Sequence, residues 1–207
     1  MKKIIVVFVV LLLITEIWAK GFHIGVKGGL NITNIISEDD VFDFKSKTGI
    51  IFGGHVFYPI SNSIAIQPEL LYTMKGTEYE FDGMKVVHNL NYLEMPILVK
   101  LMSAKNNKNI KPSLFFGPAV SMLLSAKSKT DYPKDLEDLG LKDEEIDIKN
   151  NRKSFDIGII VGGGIDFNSG LTLDIRYNRG LTEIGATESY VDMKNSVFSF
   201  LIGYNFR

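Results

Sequence analysis

The chain has 207 residues, 45% of them hydrophobic and 23% charged, with 23 basic side chains against 24 acidic ones and no cysteine. The length suits one domain, and the apolar share is too high for a disordered chain. A net charge of -1 gives no electrostatic footprint for nucleic acid, and the lack of Cys excludes disulfides, thiolate zinc sites and cysteine nucleophiles.

Met1-Lys2-Lys3 is a short basic start, Ile4–Ile14 is an unbroken apolar run, and Ala19 is a small residue just after it. That layout predicts a secretory signal peptide over 1–19, cut near Ala19. A helix needs about 20 apolar residues to cross a bilayer, so the run is too short to be a span. The expected mature domain is 20–207, exported and without a lipid-anchoring cysteine.

From Gly21 onward the dominant signal has period two, the mark of a strand with two unlike faces. Phe22, Ile24, Val26, Leu30 and Ile32 alternate with His23, Gly25, Lys27, Gly29, Asn31 and Thr33. The pattern predicts further strands over Lys47–Tyr58, Ser63–Lys75, Tyr92–Met102 and Pro112–Ala126. Phe155–Phe167 and Leu171–Asn178 follow, and Val197–Phe206 closes the series with Phe198, Phe200, Ile202, Tyr204 and Phe206 on one face. Short connections at 58–62, 103–108 and 167–170 alternate with long ones at 34–45, 78–87, 127–151 and 182–194.

A soluble sandwich also has alternating strands. Here, however, most strands reach ten residues, and their polar face carries full charges that a dry sandwich core does not accept. Aromatic residues also stand near strand ends, among them Phe22, Phe57, Tyr58, Tyr72, Tyr92, Tyr177, Tyr204 and Phe206. The expected fold is all-β: an eight-stranded antiparallel up-and-down transmembrane β-barrel with short periplasmic turns and four longer extracellular loops. Its apolar face meets lipid and its polar face lines the lumen, where Lys27, Glu69, Glu94, Lys100, Asp174 and Arg176 are expected to form a charge network.

Gly25-Val26-Lys27-Gly28-Gly29-Leu30-Asn31 resembles the opening of the PorT-like outer-membrane β-barrel proteins of Bacteroidota, barrels of the OmpA/OmpX kind. Gln67–Gly76, Asn91–Lys100, Phe116–Ser121 and Leu173–Thr182 are similar to later segments of that family, in the same order. The resemblance covers 21–207. It implies a bacterial outer-membrane location, and some members are linked to type IX secretion or gliding.

The remaining candidates are few. Asp131–Lys149 carries eight acidic and three basic residues, and Pro133, Leu136 and Leu139 there suit a short amphipathic helix. Asp135, Glu137, Asp138, Asp143, Glu144 and Glu145 in this stretch are the expected interaction residues, although a solvated loop reads the same way. His23, His55 and His88 lie far apart, their spacing suggests no metal site, and no Ser has a nucleophile-elbow context. Gly162-Gly163-Gly164 lacks the spacing of a nucleotide loop. The expectation is a non-enzymatic protein with no cofactor. Its partners would be outer-membrane lipid and envelope or secretion-system proteins met through the loops, with no nucleic acid. A narrow pore or small-ligand binder is the alternative, and a rim enzyme a remote one.

Overall fold

The computed structural model describes residues 22–37, 45–81, 83–103, 109–133, 143–185 and 193–206. The expected signal peptide therefore lies outside the described residues, as do Asp135, Glu137 and Asp138 with most of the expected amphipathic helix.

The described strands are β1 (His23–Ser37), β2 (Lys47–Pro59), β3 (Ile64–Phe81), β4 (Met84–Met102), β5 (Ile110–Asp131), β6 (Glu144–Asp147), β7 (Phe155–Phe167), β8 (Leu171–Gly180) and β9 (Met193–Phe206). They form one nine-stranded antiparallel sheet. All but β6 close into a ring, sealed where β1 runs against β9 from Ile24↔Phe206 to Ser37↔Met193. β6 pairs with β5 alone, from Lys127↔Asp147 to Thr130↔Glu144. Closure leaves the ring without the free edge that an open sheet would present to lipid.

The alternation sorts side chains as their parity requires. In β1, Lys27, Asn31, Thr33 and Ile35 are buried while Ile24, Val26, Leu30 and Ile32 are exposed. The same split in the other ring strands produces an apolar outer band that includes Phe52, Leu70, Ile97, Phe116, Ile159, Ile175 and Phe200. Aromatic pairs stand on that outer face, Tyr177 against Phe198 at 5.6 Å and Tyr204 against Phe206 at 5.4 Å. At the end with short turns, Phe167–Gly170 is closed by a 3.0 Å bond from the Gly170 N–H to the Phe167 carbonyl. Gly170 has φ 97°, which explains glycine at that corner.

Two expectations change. The connection at 78–87 is largely strand and that at 127–151 partly so: β3 and β4 continue to Phe81 and Met84, β5 continues to Asp131, and β6 follows. Their continuous outward apolar series stops at Met74, Leu93 and Leu124; beyond them the outward face is mostly polar, so the apolar-out alternation disappears. A sheet of β3, β4, β5 and β6 thus rises past the apolar band by roughly 20 Å at the usual strand rise. Second, Tyr92 is not a rim aromatic: it follows the inward parity of Leu90 and Glu94 and is fully buried. Phe57 likewise lies beneath the Lys100 ammonium, 6.0 Å from it.

Candidate functional site

The inward parity of the ring strands brings charged side chains from different walls onto the barrel axis. Lys27 on β1 donates to Glu69 on β3 at 2.7 Å and to Asp174 on β8 at 2.9 Å. Arg176 on β8 donates to Glu69 at 2.7 Å and to Asp174 at 3.2 Å. Gln67 adds a 2.7 Å bond to Glu69, and the guanidinium lies 5.4 Å from the Phe115 ring centre. β3 and β8 are separated around the ring by β2, β1 and β9. The Arg176–Glu69 pair is therefore a bridge across the lumen, with both side chains at most 1% exposed. The long side chains also need room: a Cβ on Gly162 would sit 2.5 Å from both the Phe115 ring and the Ile175 carbonyl.

A second tier lies toward the end with long connections. Lys75 reaches Glu94 at 2.8 Å and Asp156 at 3.6 Å. Glu94 also accepts from Ser121 and Asn178, each at 3.0 Å, and Asp156 accepts from Thr182 and Asn195, each at 2.8 Å. At the short-turn end Lys100 pairs with Asp166 at 2.7 Å, and His55 meets Asn205 at 2.6 Å. Of the residues expected to form one network, the structure brings Lys27, Glu69, Asp174 and Arg176 together. It places Glu94 and Lys100 in separate groups with Lys75, Asp156 and Asp166. Those three partners stand on the same inward parity that selects Lys27, so the alternation itself is the signal that finds them.

Above the second tier the interior turns apolar. Ile35, Leu90, Tyr92, Leu123, Ala126 and Ile184 pack together, with Ile148 and Met193 against them. Ile184 comes from the β8–β9 connection and is clamped by backbone bonds: its N–H reaches the Met193 carbonyl and its carbonyl accepts from Lys153, both at 3.0 Å. At the mouth over this cap, the Arg152 guanidinium meets His88 Nδ1 at 3.2 Å, and Tyr79 stands edge-on to the His88 ring at 5.6 Å. His88 is five positions beyond Leu93, where the continuous outward apolar series of β4 ends. Burial, aided by the Arg152 cation, pushes its pKa down to about 4.

The model of the outer membrane protein β-barrel domain family matches residues 15–185. The chain belongs to that family. Among solved structures, the attachment invasion locus protein of Yersinia pestis is 14% identical, with 89% of this chain and 99% of that one covered and a TM-score of 0.44. Neisserial surface protein A is also 14% identical, covering 88% and 97% with a TM-score of 0.48. OprG from Pseudomonas aeruginosa is 12% identical, covering 91% and 97% with a TM-score of 0.47. No protein of curated function matches.

As an outer-membrane barrel, the chain resides in the bacterial outer membrane. Short turns mark the periplasmic end, so the cap, the mouth and the tall β3–β6 sheet face outward. On that sheet, Asp143 lies 3.6 Å from Lys129, Lys129 pairs with Asp131 at 2.6 Å, and Glu145 pairs with Lys127 at 2.5 Å. Glu144 is exposed opposite Thr130. Of the expected interaction residues described there, Glu144 and Glu145 lie on β6 and Asp143 immediately precedes it; Asp143 and Glu145 face lysines, while Glu144 is free of an ion pair among the described residues. His23 stacks on Phe57 at 6.2 Å near the periplasmic end, so the three histidines are spread between the two ends of the barrel.

Proposed function

We propose that this protein is a non-enzymatic outer-membrane barrel with a closed interior. In this reading it acts as a structural, secretion-accessory or contact component through its outward β3–β6 sheet. The observation that carries the reading is the ion-paired bridge from β3 to β8 across the lumen, at most 1% exposed, with an apolar cap above it. A narrow eight-stranded interior filled this way leaves little room for a solute. Chemistry at the outer surface then depends on the sheet beyond the membrane, whose outward face alternates Glu78, Glu80, Lys85, Lys127 and Lys129 with their partners. The PorT-like motifs favour an envelope or secretion-system protein as that partner.

The test has two arms. Purified protein in planar bilayers should show no stepwise conductance; reproducible steps would favour the narrow pore. A photocrosslinker at Glu144 should capture a defined envelope protein in cells, while one at Leu173 in the membrane band captures lipid. Equal products from both positions would remove the sheet from the argument.

A further inference from the structure

We infer that the outer mouth of the barrel holds an oxyanion site, centred on Arg152 and His88, for a phosphate or sulfate group carried by a soluble molecule arriving from outside. The inference does not depend on the proposed contact role of the sheet.

Lys27, Lys75, Lys100 and Arg176 all point into the barrel, and each is ion-paired with a carboxylate. Arg152 is different. It is partly buried at the mouth, its side chain bonds a neutral base, and Tyr92 and Tyr79 stand close enough to influence its charge. Among the described residues no carboxylate pairs with it. A guanidinium partly withdrawn from water and left with neutral partners is costly, and an oxyanion offsets that cost by accepting two of its parallel N–H donors.

The surroundings suit such a guest. Arg152 donates to His88 Nδ1, so the neutral ring carries its hydrogen on Nε2 and offers a donor on the side of the ring away from the guanidinium. The Tyr79 ring, edge-on to His88, supplies a wall. The apolar cap of Leu90, Tyr92 and Ile184 supplies a floor that keeps a charged group from sinking further. The backbone of Arg152 is fixed by its bridge to Gly185, so the fork is held over the cap. His88 lies on the inward face of β4, inside the ring, whereas lipid headgroups pack against the outward face. A soluble molecule is therefore the source.

The test uses the full chain in detergent micelles, with the Arg152 Nε–H and the His88 ring followed by NMR. Inorganic phosphate and glucose 6-phosphate are the probes, and glucose is the control. Saturable shifts at both residues are expected with the two anions and none with glucose. Arg152→Gln should weaken binding by about tenfold or more, as loss of charged hydrogen bonds does. Lys129→Gln, an exposed cation on the outer sheet, should leave binding unchanged. Heat-modifiable gel migration checks folding, and His88→Gln serves if Arg152→Gln does not fold. A linear, unsaturable response, equal affinity in Arg152→Gln, or shifts seen only in bicelles containing phosphorylated lipid would each overturn the site.

Discussion

Lys27 and Lys127 both make short ion pairs with glutamates, in regions that give the pairs opposite importance. The Lys27 and Glu69 side chains are 2% and 0% exposed inside the barrel, whereas Lys127 and Glu145 are 50% and 48% exposed on the outer sheet. Within the membrane band each charge has given up its water and depends on partners from other walls. Beyond the band, water competes for every pair. Ion pairs therefore hold the lower structure to one arrangement, while the upper sheet relies on its backbone ladders.

The sharpest way to break this comparison is to remove one interior partner. Arg176→Met leaves Glu69 and Asp174 sharing Lys27 alone, and should cost about 3–5 kcal/mol of stability. Urea unfolding in lipid vesicles, read by the heat-modifiable band, measures it. The double variant Arg176→Met with Glu69→Met should regain much of the loss, because the stranded carboxylate is gone. A single-variant loss below about 1 kcal/mol would mean a wet interior. Next in size is a change on the outer face. Ile175 and Ile146 are similarly exposed, at 52% and 50%. Ile175→Arg, in the band, should cost about 2–4 kcal/mol near mid-depth. Ile146→Arg, on β6 above the band, should stay within about 0.5 kcal/mol, as ordinary surface changes do. Equal costs would erase the boundary drawn between the two regions.

The same boundary decides how far the sequence could be read. Inside the band, lipid on one side and a packed lumen on the other force alternation, so the residues of β1, β7 and β9 announce both strand and face. Glu78–Phe81, Met84–Val87 and Lys127–Asp131 have water on the outer side, so nothing forces an apolar series and they read as loops although their backbones are paired. Parity also places charges in the lumen, yet it does not say which meet. Glu69 and Arg176 are 107 residues apart in sequence and meet because strand order and stagger set them at one height. Glu94 stands one tier away for the same reason, beside Lys75 and across from Asp156, partners that parity admits to the lumen without pairing them.

On the outer sheet the expected effects are small. A double-mutant cycle on Lys127 and Glu145 should return less than about 1 kcal/mol and shrink as salt rises, since the Debye length is already about 8 Å at physiological ionic strength. A coupling that ignores salt would place this pair with the interior ones.

His88 stands between the two regimes, above the band yet under the mouth, and its titration grades the boundary. Its pKa of about 4 lies below the ordinary 6.5, first because burial disfavours the charged ring and then because Arg152 repels it. The unfolded chain therefore binds the proton more readily than the folded one. Stability should be flat above pH 6.5, fall as pH drops from 6.5 toward 4, and level off below. The ring's NMR midpoint in the intact protein should lie near 4. In Arg152→Gln it should rise without reaching 6.5, because only the smaller of the two causes is removed. A midpoint at 6.5 in the intact protein would mean that water fills the mouth and that the dry interior stops at the cap.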